Sequence, residues 1–197
     1  MAKVAILVPY PEMCDIARPL LEYCTEHLDV QYLEYIETPK AAQRARELEG
    51  QGCELIIARG TQAAQIKQAV RIPVVEMCVT TQELGMVMLE LKTLLGEERP
   101  VIGLIGFSNM LCDTTHFNEL FGLELHSYLV KRSDDLVPAV ELAAREGCQA
   151  VIGGEIVCTQ AERLGLPGRF IPAGEESMRN ALQTAERVCY AIDQEKH

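Results

Sequence analysis

Four short polar loops interrupt a succession of apolar runs, and each follows a run just where a helical pattern begins. They are Pro9-Tyr10-Pro11, Arg59-Gly60-Thr61, Phe107-Ser108-Asn109 and Gly153-Gly154-Glu155. In open parallel sheets, ligands bind beyond the carboxyl ends of the strands, where loops meet helix N-termini. Arg59-Gly60-Thr61 carries the most chemistry. Gly60 permits close backbone approach, unpaired N–H groups at a helix start favour an anion, and Arg59 can grip a carboxylate or phosphate with two hydrogen bonds. Thr61 as a simple N-cap with Arg59 as a surface charge accounts for the same residues equally well.

The other loops are less specific. Ser108 and Asn109 offer polar groups that would serve a ligand or cap a helix. Glu155 suits the positive end of a helix dipole, or a ligand hydroxyl or amine. Pro9 and Tyr10 would form a rigid aromatic wall or ordinary loop packing. Neither GxxxxGK[ST] nor a post-strand GxGxxG occurs, so nucleotide hydrolysis and dinucleotide redox lack support and no cofactor is expected. Cys112 and His116 stand four apart beside Asp113, which on a helix would make half a metal site; without a second pair, no metal is expected. Cys158-Thr159-Gln160 faintly resembles the second catalytic thiol of two-cysteine amino-acid racemases. The matching turn, Arg59-Gly60-Thr61, holds no thiol, so a cysteine-dependent racemase-like or lyase enzyme is the alternative and a non-enzyme the favoured reading.

The elements that must position these loops follow from hydrophobic period. Runs without polar alternation at Val4–Val8, Glu54–Ala58, Val74–Glu76, Val101–Ile105, Ala150–Ile152 and Arg169–Ile171 fit strands buried on both faces. The partly alternating segments Val30–Ile36 and Glu124–Val130 suit outer strands. Helical period predicts helices at Glu12–Thr25, Pro39–Glu49, Thr61–Val70, Thr81–Leu95, Thr114–Phe121, Ser133–Glu146, Ile156–Leu164 and Glu175–Ile192. Such alternation defines an α/β protein of βαβ units.

A repeat organises them further. Gly52-Cys53-Glu54-Leu55-Ile56-Ile57 recurs as Gly147-Cys148-Gln149-Ala150-Val151-Ile152. Each copy continues through a glycine turn and a helix to Ile72-Pro73 or Leu166-Pro167, then a strand and a long helix. The spacing of about one hundred residues suits two similar lobes. The expected fold is therefore two Rossmann-like, flavodoxin-like parallel-sheet lobes related by internal duplication, with an interlobe cleft. Lobe one would hold residues 1–80 and the C-terminal helix 175–193. Lobe two would hold 99–173, with 81–98 as a crossing helix and hinge broken at Gly96-Glu97-Glu98-Arg99-Pro100.

Composition excludes several partners. Eighteen basic against twenty-nine acidic side chains give a net charge of −11, which repels phosphate backbones and anionic lipid. No apolar run approaches the roughly 20 residues that span a bilayer. The N-terminus reads as a strand rather than a signal peptide. Eight cysteines without a CxxC pair, several in apolar windows (Cys24, Cys78 and Cys189 among them), read as reduced, largely buried thiols of a cytoplasmic protein.

The spaced motifs also carry a family resemblance that covers nearly the whole chain. Glu54-Leu55-Ile56-Ile57-Ala58-Arg59-Gly60-Thr61 followed by Ile72-Pro73-Val74-Val75-Glu76 resembles the PrpR-type N-terminal sensory domain of sigma-54-dependent transcriptional activators. So do Val151-Ile152-Gly153-Gly154, Ala161-Glu162-Arg163-Leu164-Gly165-Leu166-Pro167-Gly168 and Gly174-Glu175-Glu176-Ser177. The resemblance implies a signal-receiving module with a small effector between two lobes, coupled to downstream ATPase and DNA-binding domains; a homodimer is left open. The family turn usually reads Ala-Arg-Gly-Gly-Thr, whereas Thr61 here follows Gly60 directly. The family's tricarboxylate effector therefore does not transfer automatically, and a monocarboxylate or another less charged metabolite fits Arg59 equally well.

Overall fold

The computed structural model describes residues 1–23 and 26–197 and divides into two compact units. The first comprises Met1–Cys78 and Ala173–His197, the second Val79–Pro172. The first opens with β1 (Ala2–Val8), α1 (Pro11–Leu21), β2 (Leu28–Tyr35), α2 (Thr38–Gly50), β3 (Leu55–Ala58), α3 (Gly60–Ala69) and β4 (Val74–Glu76). The second runs α4 (Thr81–Leu95), β5 (Val101–Phe107), α5 (Phe117–Phe121), β6 (Glu124–Val130), α6 (Leu136–Arg145), β7 (Ala150–Gly153), α7 (Glu155–Arg163) and β8 (Gly168–Phe170). The last helix, α8 (Glu175–Glu195), belongs to the first unit.

Both sheets are parallel and four-stranded, ordered β2-β1-β3-β4 and β6-β5-β7-β8. The match extends to detail. Ile56 pairs with Val74 as Val151 pairs with Gly168, and Gly52 and Gly147 both turn at positive φ, 95° and 88°. This is the doubly wound arrangement predicted from the repeat.

β1 shows why its run is continuously apolar. Val4, Ile6 and Val8 pack on one face with Met13, Ala17, Met178 and Leu182 of α1 and α8. Ala5 and Leu7 pack on the other with Ala45, Leu48, Ala63 and Ile66 of α2 and α3. A strand sandwiched between helix layers has no wet face for a polar alternate to occupy, and each enclosed Ile or Leu contributes about 1.5–3 kcal/mol.

α4, read from the sequence as a crossing helix, sinks Leu84, Met88 and Leu91 into the core of the second unit. It starts on a reciprocal capping box: Glu83 N donates to Thr80 Oγ1 at 3.1 Å, and Thr80 N donates to Glu83 Oε1 at 2.9 Å. It stops at Gly96 in the left-handed conformation.

Three expectations need correction. The fifth helix begins at Phe117 rather than Thr114, because Asp113 Oδ1 accepts hydrogen bonds from Thr115 N and Thr115 Oγ1 and holds the chain in a turn. Ser133–Asp135 forms a 3-10 turn ahead of α6. Cys78 is exposed, since it follows β4 where the chain has left the sheet. Cys24 and the predicted end of the first helix at Thr25 lie outside the described residues.

Candidate functional site

In the first unit the loops after β1 and β3 meet. Tyr10, half-buried, stands immediately before α1, whose first residue is Pro11. Arg59 follows β3 in extended conformation, φ −139° and ψ 144°, and is only 7% exposed. Its guanidinium carbon lies 5.9 Å from the centre of the Tyr10 ring, within cation–π range. Gly60 then takes φ 59°, a left-handed value that turns the chain from strand into helix without a Cβ penalty.

The residue before α3 is thus Arg59, with Thr61 second in the helix rather than capping it. The Arg59 side chain does not cap the leading N–H groups of α3. A guanidinium and the positive end of a helix dipole would each prefer an acid beside them.

Gln62, third in α3, escaped the reading of the sequence as a site residue. It is 2% exposed. Its Nε2 donates to Ile36 O at 2.7 Å and to Thr38 Oγ1 at 3.3 Å, tying α3 to the loop after β2. Its Oε1 is buried and meets no hydrogen-bond partner. An amide at this position gives no periodic signal, because Gln is an ordinary residue of an exposed first turn.

The second unit presents its candidates differently. Phe107 is the last residue of β5 and 6% exposed; its side chain belongs to the core. Ser108 and Asn109 are exposed on a 3-10 turn over Ser108–Met110. Gly153 ends β7, Gly154 precedes α7, and Glu155 is exposed at the first position of that helix, favourable for its dipole. Of the predicted residues, the structure brings Tyr10 to Arg59 and withdraws Phe107 into the core.

Cys158 is poorly placed for nucleophilic work. Burial pushes Cys158 up to about 11 despite the opposing charge of Arg169, and its Sγ contacts Gly153 O at 3.8 Å. A thiol held that high is almost wholly protonated near neutrality. Cys112 and His116 precede α5, so the pair does not share a helical face. His116 Nδ1 lies 3.2 Å from Glu119 Oε2, and among the described residues no cluster of three His, Cys, Asp or Glu forms a metal site. No helix among them is long and apolar enough to cross a membrane.

Two doubly wound parallel α/β units with strand order 2-1-3-4, their polar loops at the carboxyl ends of the strands, define the class of two-lobed Rossmann-like proteins. Within that class the chain belongs to the propionate catabolism activator family, the N-terminal sensory domain of sigma-54-dependent regulators, whose profile matches residues 26–195. Among solved structures, an NtrC family transcriptional regulator from Clostridium acetobutylicum superposes with a TM-score of 0.76 at 21% identity, covering 97% of this chain and 98% of that one. At that identity the likeness concerns the fold. An ABC domain in complex with L-Trp from Streptococcus pneumonia reaches a TM-score of 0.46 at 14% identity, over 98% of this chain and 85% of its own. A TM-score this low carries no argument. No curated protein sequence matches the chain.

Proposed function

We propose that this chain receives a small, carboxylate-bearing metabolite on the loops that follow β1 and β3, and acts as the effector-binding module of a cytoplasmic sigma-54-class activator. The observation that carries the reading is Arg59. A guanidinium is kept almost wholly buried at the start of α3, over the Tyr10 ring and at the carboxyl end of β3, where open parallel sheets bind ligands and where it could add a two-pronged contact to a carboxylate.

Binding to one conformation over another would shift the population of states available to attached ATPase and DNA-binding domains, by no more than the effector's difference in affinity. Family membership supports this regulatory role, and the protonated Cys158 offers no support for a thiol-dependent enzyme.

A thermal-shift screen of organic acids, aromatic acids and amino-acid derivatives tests it. A true effector stabilises by mass action, about 2.7 kcal/mol at a hundredfold excess over its dissociation constant. Arg59→Ala should abolish that response while leaving the chain folded. A screen in which no acid raises the melting temperature, or an Arg59→Ala protein that responds like wild type, contradicts the proposal.

A further inference from the structure

The solvent faces of α4 and α8 differ, although the two helices hold the same place in the repeat. Aligning their third residues, Glu83 and Ser177, matches Leu84, Met88 and Leu91 with Met178, Leu182 and Ala185, and all six are buried. The same alignment matches Met86 with Asn180, Leu89 with Gln183 and Thr93 with Arg187. These six are all exposed, Met86 by 64% and Leu89 by 44%. On α8 the scaffold shows the polar face that water covers. On α4 the matched positions carry an apolar stripe instead, and core packing does not require one there.

The polar groups beside the stripe are engaged within their own unit. Met86, Leu89, Glu90, Thr93 and Pro172 line one shallow groove with Glu83. Glu83 closes the capping box with Thr80, at the positive end of the α4 dipole. Thr93 Oγ1 donates to Leu89 O at 3.1 Å, and Arg169 Nε donates to Glu90 Oε1 at 3.3 Å. Covering the groove therefore leaves none of these side chains without a partner, and removing Met86 and Leu89 from water is favourable.

Charge selects the occupant. The chain carries −11 overall, so two copies repel each other over most of their surface. At this groove Glu90 and Arg169 form an acid–base pair beside the apolar stripe, which makes the patch locally neutral and complementary to itself. About a two-fold axis, Glu90 of each copy approaches Arg169 of the other.

We propose that the exposed face of α4 docks a second copy of this chain, the two α4 helices lying antiparallel with Met86 and Leu89 at the centre of the contact. The α4 helix has 15 residues and so runs about 22 Å. One face of that length covers less than the roughly 800 Å² per partner of a standard interface, so the dimer is weak and depends on concentration. The proposal is independent of the carboxylate site.

Sedimentation equilibrium of the full chain tests it, from about 10 μM to about 1 mM; even a dissociation constant of about 1 mM leaves about half the chains paired at the upper end. The average mass should climb from monomer toward dimer across that range. Met86→Asn/Leu89→Gln, which gives α4 the residues of the matched α8 face, should keep the wild-type circular dichroism and remain monomeric. A wild-type chain still monomeric at about 1 mM overturns the proposal and leaves the face to a partner of another kind. A dimer that forms equally well in the double variant also overturns it, because the contact then lies elsewhere. Should the double variant not fold, Arg169→Glu decides. It faces Glu90 with a like charge and should weaken association at least about tenfold, and unchanged association overturns the proposal.

Discussion

The guanidinium of Arg59 sits 5.9 Å from the centre of the Tyr10 ring, joining the loop after β3 to the loop after β1 across the carboxyl edge of one sheet. The ring face offers negative quadrupole to a cation that the α3 dipole disfavours, so Tyr10 stabilises Arg59 where it stands. Tyr10→Leu should lower stability by about 0.5–1 kcal/mol, while Tyr10→Phe keeps the ring and should lie close to wild type. Urea denaturation of the three proteins measures this. Equal losses in Leu and Phe variants would assign the effect to the hydroxyl and discard the ring.

Gly153 and Val157 show how the second unit closed the space that Gln62 occupies in the first. A Cβ at Gly153 would lie 2.5 Å from Val157 Cβ, an atom one bond from the helix backbone that has no freedom to retreat. Replacing a strand glycine by alanine ordinarily gains roughly 0.5–1 kcal/mol. Overpacking against a rigid neighbour costs about 1–3 kcal/mol, so the clash wins and Gly153→Ala should destabilise. In a Val157→Ala background the same substitution should be neutral or favourable. A double-mutant cycle by chemical denaturation checks it, and additive costs would show that the two positions do not compete for one volume.

Gly85 poses the same question inside α4. A Cβ there would meet the Phe121 ring, with Cε1 at 2.8 Å. Glycine in a helix interior costs about 1 kcal/mol relative to alanine, yet Phe121 also packs edge-on against Phe117, ring centres 5.0 Å apart, and cannot swing aside freely. Gly85→Ala is therefore expected to lower the melting temperature in the wild-type background and to raise it when Phe121 is Leu. A gain in both backgrounds would mean the ring yields easily and helix propensity governs the site.

These pairs mark the limit of what could be read from residue order. A continuous apolar run located the strand Val74–Glu76, partial alternation located Glu124–Val130, and helical period located Thr81–Leu95. Arg59 stood out because a glycine turn after a buried strand is itself a signal. Gln62 did not, since its meaning comes from Ile36 and Thr38, brought to it by the crossover between β2 and α2. Likewise Thr114 has helical neighbours in sequence, but the Asp113 carboxylate captures Thr115 first. Tertiary partners and local side-chain competition are invisible to period.

Cys158 and Cys189 supply a pH dependence with a definite sign. Burial raises both from the usual 9.0 to about 11, in Cys189 with help from the nearby charges of Asp193 and Glu54. Between pH 9 and 11 the folded chain keeps protons that the unfolded chain has released. Unfolding then releases protons, so its free energy falls as pH rises; the stabilisation is complete below pH 9 and is lost through pH 11. Tyr128, raised by its burial, and Lys196, raised by its hydrogen bond to Glu54, act in the same direction, so the wild-type slope alone does not isolate the thiols. The decisive comparison is guanidinium denaturation at pH 8, 9.5 and 10.5 for wild type and for Cys158→Ala/Cys189→Ala. The double variant should start less stable at pH 8, through two small cavities, yet decline less steeply above pH 9. Parallel declines would show that these thiols titrate normally, and rapid alkylation of native Cys158 at pH 8 would independently establish the same thing.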